Sequence, residues 1–111
     1  MPDRRFSAAC QRYAAALAAY DADRSGREPD ENPLYAELLA AERTLERLRP
    51  STIRGLIAEA LLLRTLARLP DGSYDYGSSY TGQWGGRLAA DVLRILARLA
   101  AAQVLLISAL P

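Results

Sequence analysis

Apolar residues recur at steps of three and four in four separate stretches of the chain. The stretches begin at Phe6, Leu34, Ile53 and Leu88. This spacing keeps the side chains on one face of an α-helix. Four such faces can cover one another, so the pattern predicts an all-α fold, a small four-helix bundle-like domain. No stretch of the sequence alternates apolar and polar residues as a half-buried strand does.

Capping residues and prolines set the limits of the predicted helices. Asn32 followed by Pro33 is typical of a helix start, and so is Ser51 or Thr52 directly after Pro50. The residue before a proline disfavours helical geometry, so the second helix is expected to end just before Pro50. The four helices are predicted to span about residues 3–20, 33–49, 51–69 and 82–109.

The segment before the last long helix, residues 70–83, is a loop rich in Gly, Ser and Tyr. We expect that helix to begin near Thr81, with Gly85 and Gly86 at a close crossing with another helix. At the other end of the chain, Asp3 is expected to cap the first helix. The last three helices are expected to form the main bundle, with the first helix packed across them.

Composition narrows the possible functions. A length of 111 residues fits one domain over residues 1–111. The absence of histidine removes Ser–His–Asp and Cys–His nucleophile systems and nearly every zinc site. The only cysteine, Cys10, lies on the first apolar stripe and is expected to be a buried, inert thiol. We therefore expect a protein that is not an enzyme and needs no cofactor.

All 14 basic residues are arginine, yet the net charge is only +1. This balance does not indicate a general attraction to nucleic acid or to a membrane surface. Arginines on the last two helices still leave open a small nucleic-acid-binding accessory protein, because adjoining faces would form a basic strip. Asp91 partly cancels that strip, and a solvated face is the interpretation we favour. The arginines concerned are Arg64, Arg68, Arg87, Arg94 and Arg98.

Two short motifs accompany the predicted helices. Residues 48–56 read LRPSTIRGL, and residues 87–93, soon after Trp84, read RLAADVL. With these motifs the chain resembles small α-helical proteins of bacteria and their phages, which carry P-x-T-x-x-G-L between two helices and L-A-x-D-L-L in a final one. That resemblance implies a fold and no activity. We expect the protein to lie in the cytoplasm or inside a phage-type particle.

The connector over residues 21–32 matches the first half of a calcium-binding EF-hand loop. Asp21, Asp23 and Ser25 offer oxygen ligands at positions one, three and five, and a glycine follows at position six. The second half departs from the pattern, because position twelve is Asn32, which cannot supply a bidentate carboxylate. A calcium-binding regulator is therefore an alternative function, and our main interpretation includes no metal.

Two other features are candidates for binding a protein partner. Four aromatic residues lie within eleven positions among Gly and Ser, a composition typical of recognition surfaces, although these rings would also serve to seal the end of the bundle. The four are Tyr74, Tyr76, Tyr80 and Trp84.

The second feature is a run of twelve uncharged residues, 99–110, at the end of the last helix. A membrane span needs about 20 apolar residues, so we expect no span. Leu105 and Ile107 add apolar surface beyond one narrow helix face, which is typical of an oligomer contact. The sequence therefore predicts a homo-oligomer, or a constitutive complex with another chain, and a non-catalytic interaction or assembly module.

Overall fold

The fold consists of four α-helices in this computed structural model, which describes residues 3–110. Helices account for 74% of these residues. Residues 3–110 contain no β-strand beyond an isolated bridge between Arg68 and Tyr74. The predicted all-α fold is therefore confirmed. The helices are α1 (Arg4–Asp21), α2 (Pro33–Glu46), α3 (Ile53–Ala67) and α4 (Ser79–Ser108), with a short 3-10 helix at Pro29–Glu31.

Side-chain caps begin three of the helices. Asn32 Oδ1 accepts a backbone N–H bond of 2.9 Å at the start of α2, and Thr52 Oγ1 accepts one of 3.2 Å at the start of α3. Both caps follow the prediction. α4 starts earlier than predicted, because Ser78 Oγ accepts the N–H of Thr81 at 3.1 Å and so opens the helix at Ser79.

The centre of the fold is α1, which packs against both α2 and α3, whereas α4 packs along α3. The expectation that the last three helices form the bundle is therefore wrong. Half of the core comes from α1, since its alanines allow close approach from both sides. The core consists of Phe6, Ala9, Cys10, Tyr13, Ala16, Leu38, Ala41, Leu45, Leu62 and Trp84.

Asp3 does not cap α1 with its side chain. Its buried carboxylate accepts hydrogen bonds from Ser51 N at 2.9 Å, Ser51 Oγ at 2.9 Å and Thr52 N at 2.8 Å, and from Thr52 Oγ1. Burial raises the pKa of Asp3, but the bonds from Thr52 and Ser51 together lower it below its ordinary value. Gly55 makes room for this carboxylate, because a Cβ there would lie 2.7 Å from both Asp3 Cγ and Pro50 Cβ.

The glycines inside α4 do not mark a close helix crossing. A Cβ added at Gly85 would meet Leu63 Cδ2 only at 3.9 Å, and one added at Gly86 would meet nothing within 4 Å. Neither glycine is required by packing, so that expectation is wrong.

Gly86→Ala should raise the free energy of unfolding by up to about 1 kcal/mol, because alanine loses less backbone entropy than glycine inside a helix. The matched control is Gly55→Ala, which should lower that energy because its Cβ overlaps Asp3 and Pro50. Urea unfolding followed by circular dichroism measures both. A Gly86→Ala variant less stable than wild type would show that α4 does need a glycine there.

α4 runs antiparallel to α3 and continues beyond it. Glu59 of α3 lies 3.4 Å from Arg87, and Pro50, just before α3, accepts a bond of 2.5 Å from Arg94. The following residues, 96–108, therefore extend past the beginning of α3 as a single helix about 20 Å long. The molecule is consequently elongated, measuring 69 × 28 × 18 Å.

Candidate functional site

The end of α4 carries an apolar surface that no other described part of the chain covers. Every residue from 96 to 110 is exposed, a segment we call the α4 tail. Leu105 is 71% exposed and Ile107 is 60% exposed, so both predicted contact residues are accessible. The large apolar side chains of the α4 tail are Leu96, Leu99, Val104, Leu105, Leu106, Ile107 and Leu110.

A second uncovered apolar surface lies on α3. Ile53, Ile57 and Leu61 are each about half exposed and follow one another at steps of four, so they form one ridge along the helix. This ridge borders a groove between α1 and α3, called here the α1/α3 groove, with a volume of about 280 Å³ in its middle part. Its lining there is mostly apolar and includes Ala14, Ile57, Ala58 and Leu61.

The loop before α4 is fixed by hydrogen bonds and displays two tyrosines, and a third lies in the first turn of α4. Asp75 N donates to Ala67 O at 2.7 Å, and Asp75 Oδ1 accepts the N–H of Gly77 at 2.9 Å. The rings of Tyr74 and Tyr76 stack with centroids 6.0 Å apart. Both rings are exposed, and so is the predicted Tyr80.

Trp84 is separated from those tyrosines, because it is buried in the core. Its ring centroid lies 5.8 Å from that of Tyr13, and the guanidinium of Arg87 sits 5.3 Å from the Trp84 centroid. The structure therefore gives Trp84 a packing role between α1 and α4, and only the tyrosines of the predicted aromatic set face solvent.

The connector after α1 is held together by its own polar side chains. Asp23 accepts bonds from Ser25 N at 3.2 Å, Ser25 Oγ at 2.8 Å and Asn32 Nδ2 at 2.8 Å. The bonds from Ser25 are the main reason that the pKa of Asp23 is lowered. The predicted ligand Asp21 is exposed at the end of α1. Within residues 3–110, no group of three or more His, Cys, Asp or Glu side chains is placed to hold a metal ion.

A buried charge cluster, which the apolar stripes did not predict, joins α3 and α4. Its carboxyls belong to Glu59 and Asp91, each with a side chain only 2% exposed. Arg87 Nε lies 3.4 Å from Glu59 Oε2, while Asp91 Oδ1 accepts bonds of 3.2 Å from both Arg49 and Arg94. Glu59 Oε2 and Arg87 Nε lie within ion-pair distance of each other, but without hydrogen-bond geometry.

Two arginines of this cluster also bind backbone carbonyls. Arg87 Nη2 donates to Leu45 O at 3.1 Å and to Leu48 O, so it caps the end of α2. Arg94 Nη2 donates to Pro50 O at 2.5 Å. Arg87 and Arg94 are thus engaged inside the fold and do not belong to an open basic strip. The remaining candidates for phosphate contact, Arg64, Arg68 and Arg98, are exposed.

Burial has large effects on two titratable groups near this cluster. Burial, and next the neighbouring Asp91 carboxyl, raise the pKa of Glu59 to about 8, although Arg87 and Arg49 pull it down. Burial, assisted by Glu59, raises the pKa of the Cys10 thiol to about 12. The predicted core position of Cys10 is confirmed. Since both carboxyls are enclosed, we interpret the cluster as a structural junction between helices.

The sequence did contain a signal for this junction. Glu59 lies three residues after Leu56 and four before Leu63, so it occupies the apolar stripe of α3. Asp91 similarly follows Leu88 by three residues on α4. An acidic residue on the buried stripe of each of two neighbouring helices indicates a buried charge pair.

Comparisons of the chain with known proteins found no relative. No family model matches the chain, and no curated protein or solved structure matches it either. The resemblance to small helical proteins of bacteria and phages therefore stays a prediction. In the described range, no helix is both long and apolar enough to cross a membrane.

Proposed function

We propose that this protein is a non-catalytic helical interaction module that self-associates through the α4 tail. The observation that carries the proposal is the exposure of six large apolar side chains on the part of α4 that extends past the rest of the fold, followed by the exposed Leu110. Contiguous apolar surface of this kind is typical of an interface. A site in the cytoplasm, or inside a phage-type particle, belongs to the same proposal.

A second copy is the partner we favour, because each copy brings an identical uncovered surface to the encounter. Closed symmetric pairing covers both surfaces at once. The α4 tail also gains stability from such cover, because it has no packing partner within one copy and most helical stability in proteins comes from packing of an apolar face. Self-association would therefore remove apolar side chains from water and stabilise the helix that carries them.

Leu105→Arg combined with Ile107→Arg should convert an oligomer into a monomer without unfolding the domain. Both side chains are exposed within one chain, so arginine adds no buried charge to the monomer, but it would place charge in an apolar contact. Analytical ultracentrifugation measures the mass, and Trp84 fluorescence reports on the core. The matched control is Tyr76→Arg, a similarly exposed residue at the other end of α3.

A wild-type protein that sediments as a monomer at every concentration would overturn the proposal. So would a double variant that keeps the wild-type mass. The exposed tyrosines are assigned no part in self-association, and they remain open to a second partner.

A further inference from the structure

We propose that each α4 tail docks in the α1/α3 groove of a second copy, giving a reciprocal dimer. The inference rests on the proposed self-association and names the surface that receives the α4 tail. It joins two of the apolar surfaces that the described chain leaves uncovered, the α4 tail and the ridge of Ile53, Ile57 and Leu61.

The positions of groove and tail favour this arrangement. The groove opens beside Asp3 and Thr52, at the end of the molecule where α3 begins. The α4 tail leaves the fold at that same end, because Arg94 is bonded to Pro50 and the tail follows immediately. Two copies that meet head to head about a two-fold axis therefore each place a tail at the open end of the partner's groove.

The α4 tail and the α1/α3 groove also match in length and in chemistry. The α4 tail is a helix about 20 Å long, and the groove follows α3 from Arg54 to Thr65, about 17 Å. Residues 99–110 carry no charge, and the ridge that borders the groove consists of isoleucine and leucine. An apolar helix laid in a groove between two helices is a common mode of recognition.

The area buried on association favours the α1/α3 groove of the second copy, rather than its α4 tail, as the surface that receives the tail. A helix of this length, half enclosed, covers about 300 Å² of its own surface and a similar area of the groove. Two reciprocal contacts then bury about 1,200 Å², which reaches the lower limit of a stable interface. Pairing of one tail with the other buries about half as much, which falls short of that limit.

Cross-linking tests the inference directly. In a Cys10→Ala background, a tagged chain with Leu61→Cys is mixed with untagged chains that carry Val104→Cys, Leu105→Cys, Leu106→Cys or Ile107→Cys in turn. Mild oxidation should link the tagged chain to one or two neighbouring tail positions. Disulfides that form only between two tail positions would overturn docking in the α1/α3 groove. Self-association through the α4 tail would still be supported.

A second measurement keeps the two proposals separate. Ile57→Arg should raise the dimer dissociation constant about 100-fold, whereas Tyr76→Arg should leave it unchanged. Ile57 is more than half exposed in one chain, so its substitution spares the monomer fold. If Ile57→Arg keeps wild-type affinity while the Leu105→Arg, Ile107→Arg variant dissociates, the groove inference fails and the proposed function stands. A monomeric wild type defeats both.

Discussion

Replacing Arg87 with alanine should lower the free energy of unfolding by about 3 kcal/mol. The guanidinium donates to Leu45 O and Leu48 O, pairs with Glu59 and covers the Trp84 ring, and the Arg87 side chain itself is only 11% exposed. Alanine would leave Leu48 O without a donor and Glu59 without its neighbouring cation, which is more costly than losing an exposed bond. Urea unfolding followed by circular dichroism measures the change.

Arg64→Ala is the control, because Arg64 is an exposed arginine on the neighbouring helix α3 and does not line the α1/α3 groove. We expect it to change the free energy of unfolding by less than about 0.5 kcal/mol. Arg87→Lys should fall between the two, since lysine keeps the charge but has a single nitrogen, whereas arginine places Nη2 at both carbonyls and Nε beside Glu59. An Arg87→Ala variant as stable as Arg64→Ala would show that the cap contributes nothing.

Raising the pH from about 5.5 to about 8 should destabilise the protein through Glu59. The pKa of Glu59 is raised from an ordinary value of 4.5 to about 8 in the fold, so between these values the folded state holds a proton that the unfolded chain releases. Stability therefore falls as pH rises, by at most about 1.4 kcal/mol per pH unit. The loss is complete above the folded pKa.

Glu59→Gln should flatten this dependence, because glutamine keeps the shape of the side chain and does not titrate in this range. The chain has no histidine to interfere in this window. The pKa of Glu42 is raised by burial and by Glu46, so Glu42 also makes stability fall as pH rises. Glu42→Gln is therefore measured in parallel. The measurement is the thermal unfolding midpoint of each variant from about pH 5.5 to about 8. A wild-type midpoint that stays constant or rises from about pH 5.5 to about 8 would contradict the role of Glu59.

Periodicity and capping chemistry were enough to predict the helices. Asn32 and Thr52 act where their sequence context indicates, because a cap is decided by contacts within a few residues. The order of packing was not predicted. Each apolar stripe shows that a helix has a buried face, but nothing local states which helix covers it. The central position of α1 follows from small residues such as Ala9 and Ala16 acting together across the fold.

The candidate site was predicted in part for the same reason. Leu105 and Ile107 add apolar surface beyond one narrow helix face, which predicted their exposure. Both side chains are exposed in the structure. Trp84 shared a local composition with the tyrosines, yet its surroundings are set by Tyr13 and Arg87, which are distant in sequence. Glu59 and Asp91 were missed because their pairing depends on the register of α3 against α4. Distant partners of this kind become visible only once the helices are placed.

The carboxylate of Asp3 has a consequence for the route by which the chain folds. It bonds to Ser51 and Thr52 across 48 and 49 positions of sequence, so the contact requires α1, α2 and the beginning of α3 to be in place first. Contacts that close such long loops form late, after the local helical turns. A late contact influences the rate of unfolding more than the rate of folding. We therefore expect the bonds of Asp3 to slow the unfolding of the native state more than they speed its formation.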